Sequence, residues 1–153
     1  MEKKIKVLFL CTGNSARSQM AEAFTRKYGS EVLIPFSAGL EPKPIHPYTI
    51  KVLEEVGIDI SDQYSKPVSQ YLGKEHFGFL ITVCTNAEAK CPIFPGVSQR
   101  KYWPFEDPVA FQGTEAEKLA KFREIRDQIE QRIKSWVEEV STRYNQQTES
   151  KGE

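Results

Sequence analysis

The sequence predicts a single α/β domain, a four-stranded parallel sheet flanked by helices. Three observations predict it. The 153 residues are the usual size of one domain. Two short continuous apolar runs, 5–10 and 77–84, read as strands covered on both faces. Segments with helical spacing separate the strands, the alternation that builds a parallel sheet with helices on both sides.

The elements follow in order. Residues 5–10 form the first strand. From Ser15 the pattern turns helical: Ala21, Phe24 and Tyr28 recur at helical spacing and Gly29 is the stop. Residues 32–37 read as the second strand, closed by Ala38 and Gly39. Pro47 suits a first helical turn, after which Ile50, Leu53 and Val56 line one face up to Gly57. Residues 77–84 are the third strand and 97–103 a short fourth. Thr114 and Glu117 form a capping-box pattern before a long helix. Its apolar stripe is Leu119, Phe122, Ile125, Ile129, Ile133, Trp136 and Val140. The polar end, "NQQTESKGE", predicts a domain over 1–143 and a disordered tail over 144–153.

Composition narrows the function. Lys and Arg number 21, as do Asp and Glu, so no general basic field invites nucleic acid. Any anion site must be local. No apolar run approaches ~18 residues, so no membrane span is expected. Lysines before the run at 5–10 mimic a signal peptide, but the run is too short and no small-residue cleavage site precedes Cys11. A cytoplasmic monomer is expected. Three cysteines do not suggest a secreted disulfide framework. In a reducing compartment cysteines are catalytic, redox-active or simply buried.

Ligands of such sheets bind at the carboxyl ends of the strands. Cys11 ends the first strand, Cys84 ends the third, and Asp107 follows the fourth. "CTGNSARS" joins a strand to a helix and holds Gly13 and Asn14, which tolerate unusual backbone angles. Such a loop turns successive N–H groups inward, and the following helix adds its positive end. Thr12, Gly13, Asn14, Ser15, Ala16, Arg17 and Ser18 are therefore the candidate oxyanion cradle. Arg17 offers a planar bidentate clamp. A free cysteine is only a few per cent thiolate at neutral pH. The loop donors, Ser15, Ser18 and the helix end are expected to lower the Cys11 value. Asp107-Pro108 offers a proton for a departing oxygen, with Trp103, Phe105 and Phe111 excluding water around it. Asp-Pro is also a common turn pair. Glu106 is the rival carboxylate and is expected to be solvated.

"CTGNSARSQMAEAF" resembles the active-site loop of the low-molecular-weight protein tyrosine phosphatase superfamily. More closely, it resembles the arsenate reductases built on that fold. The similarity continues through "FSAGLEP", "VGIDIS", "LITVCTNAEAKCP", "YWPFEDP" and "FREIRDQI", to about Val140. The resemblance implies that Cys11 attacks arsenate, Cys84 attacks Cys11, and Cys91 attacks Cys84. The final disulfide would pass to a thioredoxin-like reductant, with no cofactor. The resemblance also makes Asp107 the general acid. A plain phosphatase, needing only Cys11, is the second reading, and Tyr102 and Phe105 keep it open. A thiol protein binding arsenite or zinc is the third, although the cysteine spacing fits no compact zinc motif.

Two further expectations follow. "TNAEAK" between Cys84 and Cys91 is a fair helix former, with Pro92 following its end. Flanking such a helix would set the two Cα atoms about 10 Å apart, beyond the roughly 4.4–6.8 Å of a disulfide. Some relatives bind potassium near the loop; matching positions here are Asn14, Glu22 and Ser37. The fourth position, usually an aspartate, falls on Lys66, whose ammonium would repel a cation and could pair with Glu22. No metal is expected, and neither His46 nor His76 is given a catalytic role.

Overall fold

The structure, a computed structural model, describes residues 3–91 and 94–152. Pro92 lies outside the described residues. The element order is β1 (Ile5–Cys11), α1 (Arg17–Gly29), β2 (Leu33–Gly39), α2 (Pro47–Glu54), β3 (Phe77–Thr82), α3 (Thr85–Lys90), β4 (Val97–Tyr102) and α4 (Glu115–Gly152). The four strands form one parallel sheet in the order β2-β1-β3-β4. β1 is therefore interior, and Val7, Leu8, Phe9 and Leu10 are fully buried, as its unbroken apolar run requires.

Parallel pairing places all four carboxyl ends on one edge. Cys11 pairs in register with Gly39 at the end of β2, and Leu10 with Thr82 at the end of β3. β3 stops two residues earlier than the apolar run suggests. Cys84 is left extended, and its sulfur accepts the Ala87 N–H at 3.3 Å, capping α3. The one residue of α3 that is buried is Ala87.

Phe9, Trp103 and Trp136 meet between sheet and α4, with ring centroids 5.3–6.3 Å apart. The α4 stripe is buried from Leu119 to Val140. The capping box forms: Thr114 N–H donates to Glu117 at 3.0 Å, and Glu117 N–H donates to Thr114 Oγ1 at 3.1 Å. The end of the chain differs from expectation. α4 continues through Gly152, so the stretch from 144 is helical rather than a disordered tail. Tyr144 still packs against the core. No breaker follows before Gly152, and extending a nucleated helix costs little.

α2 is tied to α4 through Glu55. Arg123 holds its carboxylate at 2.8–3.2 Å and Arg126 at 3.0 Å, while Arg126 also donates to the Val52 carbonyl at 2.9 Å. The Arg123 hydrogen bonds, aided by Arg126 and opposed by burial, pull the Glu55 carboxyl down to about 2. A depressed carboxylate stabilises the fold above its ordinary value of 4.5, and that contribution is lost as pH falls towards about 2. Denaturant midpoints measured across this window should fall with acidification. Glu55→Gln should lower stability at neutral pH and flatten that slope; an unchanged slope would remove Glu55 from the account.

Candidate active site

The loop after β1 is held from outside by its carbonyls. Those of Cys11, Thr12, Gly13 and Ser15 accept N–H groups of Leu40, Glu41, Lys43 and His46 at 2.8–3.1 Å. The Asn14 carbonyl accepts Gln19 Nε2 at 3.0 Å. In a trans peptide the following N–H points opposite to the C=O. Turning five successive carbonyls outward therefore turns the following amides inward, as an anion nest needs. The Asn14 N–H is one of these and donates to Cys11 Sγ at 3.2 Å.

Asn14 is the keystone of the turn. Its φ of 51° lies in the left-handed region, where Asn is favoured among residues bearing a side chain. Its Nδ2 donates to Ser18 Oγ at 2.8 Å, and its Oδ1 accepts the Lys66 N–H at 2.9 Å. Ser18 Oγ lies 2.9 Å from Cys11 Sγ. Because Asn14 donates to that hydroxyl oxygen, its proton is free to point at the sulfur. Gly39 is a close neighbour: a Cβ there would meet the Thr12 carbonyl at 2.7 Å.

A cavity of about 540 Å³ opens over this loop. Cys11, Thr12, Gly13, Ser15, Ala16, Arg17, Cys84 and Asp107 all line it. The side chains of Asn14 and Ser18, placed in the cradle by the sequence, are fully buried behind it, where Asn14 holds Ser18 and Ser18 meets Cys11, and it is the Asn14 backbone N–H that faces inward. Cys91 lies outside the cavity lining, at the far end of α3. Arg17 donates to the Phe105 carbonyl at 2.9 Å and sits 3.6 Å from Asp107. One Asp107 oxygen caps the Val109 N–H at 2.9 Å, so the residue serves both a turn and the cavity.

Two expectations fail here. Burial pushes the Cys11 thiol up, outweighing the Ser18 hydrogen bond, the Arg17 charge and the Ser18 and Asn14 N–H groups that pull it down. The sequence pattern revealed the donors but not that the sulfur would be shut away from water. The aromatic shield of Asp107 is also thinner than expected. Trp103 turns into the core, Phe111 lies under Lys121 at 5.2 Å, and only Phe105 lines the cavity. The Asp107 side chain is 42% exposed. Glu106 is exposed as expected, although it pairs with Lys121 at 3.3 Å.

Sequence reasoning missed Lys43, Thr85, Asn86 and Val109 in the lining. Lys43 had a readable signal: it is a cation in the proline-rich loop leaving the carboxyl end of β2. Asn86 donates to Thr12 Oγ1 at 2.8 Å, and Thr12 Oγ1 lies 3.4 Å from Cys84 Sγ. The start of α3 is thus bonded to the loop that holds Cys11. Tyr102 is half-exposed, hydrogen-bonded to Thr85 at 3.2 Å and absent from the lining.

Beneath the loop, Glu22 is nearly buried. It accepts Ser37 Oγ at 2.5 Å and pairs with Arg26 at 2.8 Å and Lys66 at 3.7 Å. Lys66 also donates to the Tyr64 carbonyl at 2.6 Å. Its ammonium lies between Glu22 and Ser37, 3.5 Å from Ser37 Oγ, while its backbone N–H is the group that reaches Asn14. Burial pulls the Lys66 value down, and Glu22 acts against that. No cluster of three or more metal-ligating side chains occurs among the described residues.

A thiol on an inward-facing N–H loop, an arginine beside it and a carboxylate across the cavity define a cysteine-based enzyme acting on a tetrahedral oxyanion. The chain belongs to the low molecular weight phosphotyrosine protein phosphatase family, which it matches over residues 6–147. Its relatives include arsenate reductases. The arsenate reductase of Halalkalibacterium halodurans is 43% identical over 138 residues, covering 90% of this chain and 98% of the relative. A solved arsenate reductase in the phosphate binding state superimposes with a TM-score of 0.74 at 33% identity, covering 90% of this chain and 99% of that one. The thioredoxin-dependent arsenate reductase of Corynebacterium glutamicum follows with a TM-score of 0.66 at 28% identity, covering 92% of this chain and 64% of that one.

The buried ammonium of Lys66 leads to a prediction about ions. Turnover by the wild type should be equal in potassium and sodium chloride at matched ionic strength. Lys66→Ala should cost about 2 kcal/mol in denaturant unfolding, less than a fully broken buried pair because Arg26 still holds Glu22. Selective acceleration of the wild type by potassium would count against this.

Proposed function

We propose that this chain reduces arsenate to arsenite with three thiols, as a step in arsenic detoxification. One observation carries the reading. Cys11 ends β1, Cys84 lies two residues beyond the end of the neighbouring parallel strand β3, and both line one cavity, while Cys84 and Cys91 cap the two ends of the same short helix. A phosphatase needs only the first thiol. The other two supply electrons.

Arsenate is held by the inward N–H groups and Arg17. The Cys11 thiolate attacks arsenic, an S–As bond forms, and an oxygen leaves as water with a proton from Asp107. The Cys84 thiolate then attacks Cys11 Sγ. The S–As bond breaks, its electron pair stays with arsenic, As(V) becomes As(III), and a Cys11–Cys84 disulfide remains. Cys91 attacks Cys84 and releases Cys11 as a thiolate. The sum is arsenate and two thiols giving arsenite, water and one disulfide. A thioredoxin-like dithiol then reduces Cys84–Cys91; the likeness to a thioredoxin-dependent reductase supports that partner. The reducing environment the relay needs makes the cytoplasm its place.

The second exchange requires motion. Seven residues of helical rise separate Cys84 from Cys91 by about 10 Å, against roughly 4.4–6.8 Å in a disulfide. α3 must unwind, bringing Cys91 to Cys84.

Arsenate-dependent thioredoxin oxidation by the wild type, Cys84→Ser and Cys91→Ser tests the reading. Sustained turnover should vanish in both variants. Cys91→Ser should release one equivalent of arsenite and stop at Cys11–Cys84, whereas Cys84→Ser should release none. Fast p-nitrophenyl phosphate hydrolysis without arsenate turnover would make the chain a phosphatase instead. Slow hydrolysis beside arsenate turnover is expected from the shared loop.

A further inference from the structure

The cavity over the Cys11 loop is lined by two cations, Arg17 and Lys43, and by two carboxylates, Glu106 and Asp107. Three of the four are engaged. Arg17 donates to the Phe105 carbonyl at 2.9 Å and faces Asp107 at 3.6 Å, and Glu106 pairs with Lys121 at 3.3 Å. Lys43 is exposed, and its ammonium makes no ion pair among the described residues. Its backbone is nonetheless fixed. The Lys43 N–H donates to the Gly13 carbonyl at 2.9 Å. Pro42 and Pro44 flank it, and the residue before a proline is held to extended conformations. The loop leaving β2 thus carries a cation to the cavity on a stiff tether, while the flexible four-carbon stem lets the ammonium follow a ligand.

Charge decides what that cation does. In the reacting state Cys11 is a thiolate and Asp107 carries a proton. Arg17 and Lys43 then balance Cys11 and Glu106 across the lining. Without Lys43 the lining is net negative, and a doubly charged tetrahedral oxyanion enters against it. The chain as a whole has no net charge to help, so the attraction has to come from the cavity itself. The product differs from the substrate in just this respect. Arsenous acid is uncharged at neutral pH, so a cation at the cavity draws substrate in and has no hold on what leaves.

We propose that Lys43 is a specificity-determining residue, the cation that captures the tetrahedral dianion and delivers it to the Cys11 loop. The proposal rests on the reductase reading above. Arg17 and the inward N–H groups hold the oxyanion once it is seated; Lys43 sets how readily it arrives and how tightly the encounter is kept. Its effect therefore falls on kcat/KM, and salt screens it. Inorganic phosphate, of the same shape and charge, is captured equally well.

The test compares alkylation of Cys11 by iodoacetate, an anion, and by iodoacetamide, its neutral analogue, on the reduced full chain, resolved by site with mass spectrometry. A change in loop structure or in the thiolate fraction alters both rates alike and cancels in their ratio. Lys43→Ala should lower the iodoacetate-to-iodoacetamide ratio at Cys11 about fivefold at low salt, and Lys43→Glu about twentyfold, the scale of an exposed charge and its reversal. Lys43→Arg should keep the wild-type ratio. Cys91, outside the cavity lining, should show no change. An unchanged ratio at Cys11, or an equal change at Cys91, overturns the proposal. In turnover with arsenate, Lys43→Ala should lose about fivefold in kcat/KM at low salt, carried by KM, and less than about twofold at 0.5 M salt. The phosphate inhibition constant should rise by the same factor. A loss carried by kcat, or one that salt leaves untouched, also overturns it. If the wild type does not turn over arsenate, the reductase reading fails, while the alkylation ratios still report on Lys43.

Discussion

The site depends on one backbone conformation, the left-handed turn at Asn14. Reversing the chain there lets the loop present its carbonyls to the 40–46 segment and its amides to the cavity. Few side chains accept this conformation cheaply, and Asn does so with a short polar group that can bond locally. Here it bonds in two directions, to Ser18 and to the Lys66 backbone. The turn is therefore held from the helix side and from the β2 side together. Gly39 belongs to the same constraint, because the Thr12 carbonyl lies where a Cβ would be.

That geometry resolves an apparent conflict at Cys11. A buried sulfur resists ionisation. Yet the groups that oppose burial are all aimed at it: the Ser18 hydroxyl, the Asn14 N–H and the Arg17 charge. The field is local, which a chain of zero net charge demands. It is also protected from below. Glu22 lies under the loop, and an unpaired carboxylate there would repel a thiolate through a medium of low polarity. Lys66 and Arg26 neutralise it. The buried ion pair thus matters more for the potential at the loop than for its own stabilisation, since desolvation offsets much of the Coulomb gain of such pairs.

The sequence made the sheet legible because its signals were physical ones: continuous apolar runs, glycine stops and a capping box at Thr114. Strand ends then located Cys11, Cys84 and Asp107 on one edge. What stayed hidden depended on side-chain direction or distant packing. The sequence could not say that Asn14 and Ser18 face away from the cavity, or that Trp103 packs with Phe9 and Trp136 instead of shielding Asp107. Lys43 and Asn86 reach the cavity because the loop of the first and the helix α3 of the second are bonded to the nest. The polar end reads as a tail by composition, but Gln, Glu and Lys are also good helix formers, and a long helix packed as far as Tyr144 extends through them.

α3 shows how a weak element can serve chemistry. Six residues are too few to hold a helix by themselves, since isolated helices shorter than ~12–15 residues are marginal in water. Little burial compensates, because Ala87 is the single buried residue. What fastens α3 is polar and divided between its ends. Cys84, Asn86 and Tyr102–Thr85 hold the start to the loop and to β4, while Glu88 holds the later part to Thr82 and Arg100. Oxidation of Cys84 would weaken the first group, because a disulfide sulfur is a poorer acceptor for the Ala87 N–H than a thiolate. In the proposed relay the capping bond would be lost just when the helix has to open. Local stability at the low end of the fold's range is what a moving segment needs, and in that relay the reaction itself would lower it further.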